Sequence, residues 1–595
     1  MRSTRRTPDS FLARALSFAL ATTALAIAAF GATTFGCVER SGPRGKRSED
    51  ATPRRGGTLH LATLSDLRSL DPAVAFDTET QPFLELLYAG LVDYDQEGHL
   101  VGDLADHWEV SADGRAYRFF LRSGVSMQDG NELTADDVKR SAERTLHPST
   151  PCPGVTFYER IAGLTAYQKG ETDHVSGIVV ESAHVVRFEL TEPDATFLAV
   201  LALPFLRPVC RSAGTRYSDD FQNLSCGAGP FKLADWQPGR YLRIERFEGY
   251  FVPGMPYLDG IEIRMDVPRL TQRFAMEKGE QDFDAEFNRP DFIHFRTHPE
   301  WSLLGYERIE PSVYAEFMNV ELRPFDDVRI RRAVAAAIDR PALAKYFEGA
   351  SEVTGHLIPP SIDGYDPDYR GQVTDVARAR ALMAEAGYPY DPVTGQGGYP
   401  DTVEYLAGEG AGAVRWAQLM QYQLQQIGIR IELKVTSFAQ FLALSGRPKT
   451  AQMGFAGWNL DYPDASDFFE PIFTSSAYAE EESKNTAFYR NPRLDALIEK
   501  AHMELDHDKR IAMYREAERI VCDDAPWAFT YYPMRYELTQ PWVHGYKMHA
   551  IWREYFKGVW IDDDDRAERH AGSSPAGRAT AALGSLLGPY FGARH

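Results

Sequence analysis

"TVEYLAGEGAGAVRWAQLMQYQLQQIGIRIELKV", residues 402–435, is the stretch that decides the fold class of this chain. Its two ends, TVEYLA (402–407) and IRIELKV (429–435), are rich in β-branched and apolar residues, which is typical of strands. The segment between them, AVRWAQLMQYQLQQ (413–426), repeats apolar residues at the three- and four-residue spacing of a helix. The stretch therefore predicts a β-α-β unit.

The same alternation of strand and helix patterns continues on both sides of this unit. Strands are predicted at TLHLAT (58–63), RAYRFFLR (115–122), VVRFEL (185–190), YLRIERF (241–247) and IEIRMDV (261–267). Helices are predicted at 134–146 with Thr134 as N-cap, at 326–347 with a break at Pro341, at 375–386 with Gly387 as C-cap, and throughout 493–526. Such alternation over most of the length predicts an α/β fold.

Length and charge narrow the class of protein. The chain has 595 residues, which predicts two to four domains at about 100–200 residues for each domain. Its hydrophobic fraction of 44% allows a sizeable core. The formal net charge of −21 argues against nucleic acid as a partner, because binding to phosphates requires a basic surface.

The N-terminal segment has the pattern of an export signal. MRSTRRTPDSFLAR, which carries four arginines, precedes an uncharged run over 15–36 that ends at Cys37. This end is similar to the lipobox of bacterial lipoproteins, in which the cysteine is lipidated; Gly36 fits, whereas Thr34 stands where a leucine-like residue is usual. We expect a signal peptide over 1–37 and a flexible tether over 38–55. A plain signal peptide and an uncleaved membrane anchor are the alternatives, and all three place most of the chain outside the cytoplasmic membrane.

Four cysteines remain after Cys37, and an oxidising compartment favours disulfides among them. Cys152, Cys210 and Cys226 lie in loop-like sequence, which predicts a bridge between two of these three. Cys522 lies in a helical pattern and is predicted to be a buried free thiol. No C-x-x-C pair occurs in the sequence, so we predict no structural zinc site.

Two short motifs suggest enzyme or metal chemistry, and both have simpler explanations. GEGAGA (408–413) fits a dinucleotide fingerprint with Glu432 after it, but a single β-α-β unit does not make a nucleotide domain, so a loop is favoured. His294 and His298 have the spacing of metal ligands on a helix, but no glutamate follows His294 and Pro299 limits the helix. We predict no cofactor, no metal and no enzymatic activity.

A series of phrases carries a resemblance to one family of proteins. The phrases are LADHWEVSADGRAYRFFLRSGVSMQDGNELTADDVKRSAER (104–144), CGAGPFKLADWQPGRYLRIERFEGYF (226–251), FMNVELRPFDDVRIRRAVAAAIDR (317–340), GHLIPPSIDGYDP (355–367), AGWNLDYPDASDFFEPIF (456–473) and PWAFTYYPMRYELTQPWVHGY (526–546). In order and spacing the series resembles the extracytoplasmic solute-binding proteins of family 5, which serve ABC importers of oligopeptides, dipeptides and nickel. The resemblance covers roughly residues 56 to 565. It departs at Gln128, where histidine is usual, and at Ala228, where threonine is usual.

The resemblance implies a two-lobed periplasmic-binding-protein-like fold of type II, with a ligand cleft between the lobes. It implies a first lobe over 56–311 that includes an extra subdomain at about 85–186. The second lobe is expected over 312–528, entered near PSVYAEFMNV and left near PWAFTYY, and the chain returns to the first lobe over 529–565. Residues 566–595 are rich in Ala, Gly, Ser and Arg and are predicted to be a disordered tail.

The resemblance also implies a set of ligand-binding residues around Asp461. In peptide-binding relatives the aspartate in this position pairs with the ligand's α-amino group, which needs a charged partner once it leaves water. Trp458 would line the cleft with a flat apolar ring and Asn459 would add a hydrogen bond, and Tyr462 is a further ligand-binding candidate. The alternative is that Asp461 merely caps the helix that follows, a role for which Asp464 is better placed.

Other positions implied by the resemblance lie in the first lobe and at the hinge. AFDTETQPF (75–83) matches the first-lobe loop that lines the cleft, so that Phe76, Asp77 and Thr78 are candidates. Tyr314 and Tyr532 lie near the expected hinge and are expected to face the ligand, with ordinary hinge packing as the alternative. Some relatives hold the peptide carboxylate with a basic residue six places before the aspartate, whereas this chain has Phe455 there. Longer peptides or non-peptide amines therefore fit better than short peptides anchored at the C-terminus.

The function implied by the resemblance is capture rather than catalysis. A monomeric lipoprotein on the periplasmic side of the cell envelope would bind oligopeptides between its lobes. It would deliver them to an ABC permease whose ATPase subunits supply the work. The alternatives are the same fold binding a nickel chelate, a sugar or another small solute, or acting as a sensory receptor.

Overall fold

The computed structural model describes residues 52–573. The predicted signal peptide with Cys37, residues 38–51 of the predicted tether, and residues 574–595 of the predicted tail lie outside the described residues. Every helix within 52–573 is too short or too polar to cross a lipid bilayer.

Strands and helices are mixed along the described chain, which agrees with the α/β class that the sequence predicts. The strands are β1 (Thr58–Ala62), β2 (Val92–Tyr94), β3 (Leu100–Gly102), β4 (Ala105–Val110), β5 (Ala116–Leu121), β6 (Ile178–Ser182), β7 (Val185–Glu189), β8 (Phe231–Gln237), β9 (Tyr241–Arg246), β10 (Gly260–Arg264), β11 (Phe283–Asp284), β12 (Gly305–Ile309), β13 (Ser312–Met318), β14 (Ser351–Val353), β15 (Tyr390–Asp391), β16 (Gln396–Gly397), β17 (Thr402–Gly408), β18 (Arg430–Thr436), β19 (Met453–Asn459), β20 (Trp527–Thr539), β21 (Val543–His544) and β22 (Trp560–Ile561).

The α-helices connect these strands and cover the faces of the sheets. They are α1 (Gln81–Leu87), α2 (Ala135–Leu146), α3 (Leu164–Gln168), α4 (Phe197–Leu201), α5 (Arg269–Lys278), α6 (Arg289–Thr297), α7 (Val328–Ala337), α8 (Arg340–Phe347), α9 (Val376–Glu385), α10 (Ala411–Gln425), α11 (Phe438–Ser445), α12 (Glu470–Phe473), α13 (Pro492–Met503), α14 (His507–Asp524) and α15 (Asp563–Ser573).

Two smaller sheets lie in the N-terminal half. The first has the strand order β1-β10-β9-β8, with β1 parallel to β10 and the other pairs antiparallel. The second is antiparallel, in the order β4-β5-β7-β6. Alternate residues are buried in several of these strands, such as Leu59 and Leu61 in the first sheet and Tyr117 and Phe119 in the second, because successive side chains point to opposite faces. Each sheet therefore has its own apolar core.

The largest sheet contains the β-α-β unit predicted from 402–435. Its order is β11-β20-β13-β19-β17-β18, and β12 and β14 also pair with β20. β17 runs parallel to β18, to which α10 connects it, so the prediction of this unit is confirmed. β17 also runs parallel to β19, whereas β13 is antiparallel to both β19 and β20.

β20 is a long strand that pairs with different strands along its length. Its first residues pair with β13, and its later residues pair with β12 and β11. The chain passes from β12 into β13 at residue 312 and runs through β20 at 527–539, which are the places where the sequence predicts entry and exit. We therefore propose the predicted boundaries, with a first lobe before residue 312 and a second lobe over 312–528.

The predicted end of the subdomain at about residue 186 requires correction. It falls inside β7, which runs to Glu189 in the middle of the antiparallel sheet. The apolar core of that sheet continues through α4 to Leu206. A sheet strand and its core cannot be divided between two folding units, so we take the subdomain as residues 92–206.

Several helix ends confirm or correct the sequence predictions. Thr134 precedes α2, and both its N–H and its hydroxyl donate to the Asp137 carboxylate, at 3.1 and 2.9 Å. Gly387 follows α9 with a φ of 95°, which favours glycine. The break predicted at Pro341 lies earlier: Asp339 caps α8, and Pro341 occupies its first turn, where proline is well tolerated.

Two further predictions about helices are wrong in part. Residues 493–526 are not helical throughout, because α13 ends at Met503 and Asp506 caps a new helix, α14, by accepting from the Lys509 N–H. Residues 566–573, predicted as disordered tail, belong to α15. Arg566 secures this helix through an ion pair with the buried Asp282, and the acids of the first turn suit its N-terminal end.

The cysteines behave as predicted. Cys210 and Cys226 form a disulfide, and Cys152 and Cys522 are buried free thiols. Gln128, which stands where histidine is usual, accepts from the N–H of Gly227 at 3.0 Å and donates to the carbonyl of Phe231 at 2.7 Å. This unusual residue is therefore structural, and it lies next to the bridge.

Candidate functional site

The candidate site lies at one edge of the largest sheet. β17 runs parallel to both β18 and β19, so the carboxyl ends of all three strands lie at the same edge of the sheet. Ligands of open α/β sheets bind outside the carboxyl ends of the strands. β19 ends at Trp458 and Asn459, and the chain then turns through Asp461. The turn singled out by the sequence is therefore at the edge where a ligand is expected.

Asp467, which sequence reasoning missed, holds this turn together. Its Oδ2 accepts from the backbone N–H of Asp461 at 2.8 Å and from Trp458 Nε1 at 3.0 Å. Its side chain is only 1% exposed. Asp464 caps the short helix Ala465–Phe468 by accepting from the Ser466 N–H at 2.9 Å. Capping thus belongs to Asp464, as the sequence suggests, and the Asp461 carboxylate is left for another role.

The Asp461 carboxylate is largely buried and has no counterion. Within residues 52–573 its oxygens accept no hydrogen bond and form no ion pair. Burial raises the pKa of Asp461 to about 7, although Lys484 acts in the opposite direction. Burial and the neighbouring Asp461 also raise the pKa of Asp467 well above its usual value. An incoming ammonium group would supply the positive charge that this pair of acids lacks.

An aromatic wall extends along the sheet from this turn. Tyr314 of β13 stacks on Phe455 of β19 and on Tyr531 of β20, with ring centroids 5.3 and 5.1 Å apart. Trp416 of α10 and Phe347 of α8 contact Tyr531 at 5.5 and 4.5 Å. These five residues form what we call the aromatic wall. Phe455, which stands where some relatives have a basic residue, serves here as apolar surface.

Asn459 and Glu316 form hydrogen bonds with aromatic residues of the wall. The Asn459 amide oxygen lies 3.5 Å from the Tyr314 hydroxyl, and the rest of this exposed side chain faces solvent. The fully buried Glu316 accepts from Trp416 Nε1 at 2.7 Å and from the Tyr405 hydroxyl at 2.6 Å. Burial raises the pKa of Glu316 to about 8, so a proton is retained near neutrality.

The expectation that Tyr532 faces the ligand requires correction in favour of its alternative, ordinary packing. Tyr532 is 2% exposed and lies in the core of the second lobe, where its hydroxyl donates to the Ile358 carbonyl at 2.7 Å. Its neighbour Tyr531 points to the other face of β20 and belongs to the aromatic wall. Successive strand residues point to opposite faces of a sheet, and the sequence alone does not show which of two adjacent tyrosines points to which face.

Tyr462 also differs from its predicted role. It is 4% exposed, its hydroxyl lies 3.0 Å from Ser466 Oγ, and its ring packs edge-on against Phe157 of the subdomain at 5.7 Å. Tyr462 therefore belongs to the contact between the second lobe and the subdomain rather than to an open ligand surface.

Two of the three candidate ligand-binding residues in the first-lobe loop are exposed. Phe76 is 37% exposed and contacts Phe205 at 5.0 Å, and Thr78 is exposed. Asp77 is engaged locally, because its carboxylate accepts from the Thr80 N–H at 2.8 Å just before α1. Phe76 and Thr78 therefore remain candidates for ligand contact, and Asp77 positions the loop.

A group of charged residues joins the subdomain to the second lobe. Arg160 of the subdomain lies 3.2 Å from His502 Nδ1 and 3.5 Å from Asp194 Oδ2. The other ring nitrogen of His502 contacts Glu470. Burial alone would lower the pKa of His502, but bonds to Asp194 and Glu470 raise it to about 10. We call these four residues the interlobe cluster; the sequence carries no motif for them.

The two motifs that suggest a nucleotide or metal site, GEGAGA and the His294/His298 pair, have local structural roles. GEGAGA connects β17 to α10, and Gly410 there has a φ of 113°. His294 Nε2 lies 3.2 Å from Glu277 Oε1 at the surface of α6. Within the described part of the chain, no three His, Cys, Asp or Glu side chains converge as metal ligands would.

Comparison with known proteins gives one consistent family. The family model described as bacterial extracellular solute-binding proteins, family 5 Middle, matches residues 99–480. The chain is 28% identical over 474 residues to the glutathione-binding protein GsiB of Escherichia coli strain K12, covering 78% of this chain and 87% of that protein. The corresponding protein of Salmonella typhi is 29% identical over 512 residues, covering 85% and 94%.

Solved structures agree with this match. The periplasmic binding protein DppA of Helicobacter pylori, in complex with the peptide STSA, has a TM-score of 0.68 and 25% identity, covering 85% of this chain and 98% of that one. The oligopeptide-binding protein AppA of Bacillus subtilis, in complex with a nonapeptide, has a TM-score of 0.67 and 22% identity, covering 86% and 100%, a likeness of fold alone.

Proposed function

This chain belongs to the bacterial extracellular solute-binding proteins of family 5, and from that membership we propose that it captures peptides between its lobes for an ABC importer. The names of its relatives support a peptide ligand, because GsiB is named for glutathione and two structures with the same fold hold peptides. The chain acts in this proposal as a monomeric receptor without catalytic activity, and the permease and its ATPase subunits do the transport.

The observation that carries the proposal is the Asp461 carboxylate without a counterion. A peptide's α-ammonium group would supply a charge-assisted hydrogen bond in a partly dry site, where such bonds are strong. Trp458, whose indole is fixed by Asp467, offers a flat apolar surface beside it. Asn459 and the Tyr314 hydroxyl offer polar atoms for the first peptide group.

Ligand length follows from Phe455 and from the aromatic wall. A short peptide would need a cation for its carboxylate close to the Asp461 turn, and Phe455 provides none. An oligopeptide can pass along the aromatic wall and keep its carboxylate in water. Backbone hydrogen bonds and bridging waters then give affinity with little dependence on side chains.

The mechanism of capture is closure of the two lobes about their shared strands. β12–β13 and β20 are the connections that would bend, as in other hinged binding proteins. The interlobe cluster joins the subdomain to the second lobe. We propose that a bound peptide favours an arrangement in which the two lobes are closed over it and that the permease recognises this closed arrangement.

We also propose that Cys37 carries a lipid that holds the receptor at the membrane. An acylated cysteine gives firm anchoring only when more than one chain is attached. Cys37→Ser in cells fed labelled palmitate tests this: loss of both the label and the membrane fraction is expected. Label retained by the variant would contradict it.

The test of peptide capture is a thermal melt of protein stripped of ligand by partial unfolding. Free oligopeptides, their N-acetylated forms, nickel and maltose-type sugars are added to wild type, Asp461→Asn and the exposed control Asp401→Asn. A ligand at about 100 times its Kd stabilises the fold by about 2.7 kcal/mol. We expect free peptides alone to raise the Tm, in wild type and in the control. A response only to sugars or nickel overturns the peptide proposal.

A further inference from the structure

A small pocket in the first lobe carries an unusual excess of acid. It lies between β1, the end of the loop before α1, the segment 283–286 that begins with β11, and residues 553–556. The charged and polar side chains that line it are Thr78, Glu79, Asp284, Glu286, Arg553 and Glu554. The cavity measures about 80 Å³, several times the space that one buried water needs. It therefore has room for a compact polar group.

The pocket adjoins the aromatic wall and thus the ligand cleft. Arg553 forms an ion pair with Glu310, two residues before β13, at 2.9 Å. Both groups lie close to Tyr314: burial first and Glu310 second raise the pKa of its hydroxyl, and Arg553 opposes them. Thr78 and Phe76 belong to the same first-lobe loop. A ligand on the aromatic wall therefore passes next to this pocket.

Four carboxylates face one guanidinium in this pocket, and the guanidinium is already paired with Glu310. Two of the acids also have local partners. Glu286 accepts from the Leu64 N–H at 3.0 Å, and Glu79 accepts from the Thr78 hydroxyl at 3.1 Å. Glu286 also forms an ion pair with Arg269 at 3.7 Å, so Asp284 and Glu554 are the two acids of this pocket that have no side-chain partner among the described residues.

Asp284 and Glu554 lack counterions. Asp284 is only 4% exposed; one oxygen accepts from the Glu286 N–H at 3.0 Å, and the other has no partner among the described residues. The Glu554 carboxylate accepts no hydrogen bond and forms no ion pair within 52–573. Burial raises the pKa of both carboxyls to about 7. Leaving such groups without a cation is costly for the fold, and an incoming cation would relieve that cost.

We propose that this pocket is a second cation site, which takes the ammonium or guanidinium side chain of a bound peptide. The inference rests on the proposed function and narrows its substrate class to peptides that carry lysine, ornithine or arginine. Asp461 belongs to the second lobe and the pocket to the first, so such a peptide bridges both lobes through its two charges. Bridging of this kind favours closure more than a neutral peptide does.

The test is a calorimetric titration with pentapeptides that have a free N-terminus and a common neutral background. One position at a time carries lysine, Nε-acetyl-lysine, norleucine or glutamate. At one position we expect lysine to bind at least about tenfold more tightly than norleucine, with acetyl-lysine equal to norleucine and glutamate weakest. This comparison needs no variant of the protein.

Variants then locate the effect. Asp284→Asn with Glu554→Gln should abolish the lysine preference while affinity for the norleucine peptide is retained. Asp401→Asn with Glu432→Gln makes the same changes at exposed positions outside the pocket and should leave the preference intact. Equal affinities for lysine and norleucine at every position overturn the cation site but leave peptide capture standing. Absence of binding by all the peptides overturns both.

Discussion

At the scale of single residues, two aspartates of one turn have different tasks. Asp467 accepts two hydrogen bonds from within the turn and fixes its shape. Asp461 accepts none from residues 52–573, and burial raises the pKa of its carboxyl to about 7. The contrast explains why one motif contains both a positioning residue and a candidate ligand-binding residue.

Peptide affinity should depend on pH through Asp461, whose pKa burial raises to about 7. An α-ammonium binds the ionised carboxylate, so below pH 7 a proton competes with the peptide, and the affinity should fall about tenfold for each unit. Above about pH 8 the ligand's own amine loses its proton and affinity falls again. Calorimetry between pH 5 and 9, both limits being about two units from the pKa, checks this. Asp461→Asn should flatten the acid side, and a flat acid side in wild type contradicts the assignment.

The adjacent tyrosines of β20 offer a matched pair. Tyr532→Phe removes a buried hydrogen bond and leaves the Ile358 carbonyl unpaired, which should lower the free energy of unfolding by about 1–3 kcal/mol without weakening peptide binding. Tyr531→Phe should change neither the free energy of unfolding nor the peptide affinity. Tyr531→Ala removes a ring from the aromatic wall and should weaken peptide binding about tenfold, which corresponds to about 1.4 kcal/mol. Urea unfolding and calorimetry separate the two. Weaker binding in Tyr532→Phe would contradict the placement.

At the scale of elements, the disulfide supports a segment that contains little regular structure. Cys210 and Cys226 are 16 residues apart, and between them the chain forms only short helical turns before β8 begins. Gln128 reaches this segment from the loop before α2, through Gly227. The bridge therefore acts where few strands or helices hold the chain.

Removal of the bridge should destabilise the protein measurably. Closure of a loop of this length contributes about 3 kcal/mol through the unfolded state. Cys210→Ala with Cys226→Ala should therefore lower the free energy of unfolding by about 3 kcal/mol, measured in urea with and without reductant. Reductant should destabilise wild type to the same extent and leave the double variant unchanged. A wild-type curve that does not respond to reductant would show that the bridge is dispensable.

At the scale of the whole molecule, the interlobe cluster joins two parts that are far apart in sequence. Arg160 and Asp194 come from the subdomain, and Glu470 and His502 come from the second lobe. The packing of Tyr462 on Phe157 lies at the same junction. The cluster is therefore expected to stabilise the contact between the subdomain and the second lobe.

Loss of His502 should loosen this junction. His502→Gln removes a buried cation from between Asp194 and Glu470. Because Arg160 remains beside Asp194 and Glu470 is partly exposed, the free energy of unfolding should fall by about 1–3 kcal/mol, while the ligand-free protein becomes larger in small-angle scattering. Because its folded pKa of about 10 exceeds the ordinary value, the stabilisation by His502 is full below about pH 6.5 and is lost as pH rises through 10. The exposed His507→Gln is the control. An unchanged scattering profile would contradict a role in closure.

Much of the fold could be predicted because its signals are local. The β-α-β unit of 402–435, the Thr134 and Gly387 caps and the free thiol Cys522 follow from spacing and residue type. Helix ends at 338 and 504 were harder, since a capping aspartate can end one helix early and begin the next without a change in composition. The candidate turn at Asp461 was predicted from resemblance, and its geometry was not.

The sequence by itself determined the α/β class and the order of most elements, because these depend on neighbours within a few residues, and its resemblance to a family pointed to the turn that carries Asp461. Only the tertiary structure decided which tyrosine of β20 belongs to the aromatic wall, that Asp467 holds the turn, and that Asp461, Asp284 and Glu554 have no ion-pair partner within residues 52–573. The physical reason is that burial and charge pairing depend on side chains contributed by distant parts of the chain. His502 and Asp194, for example, are brought together only when the subdomain meets the second lobe.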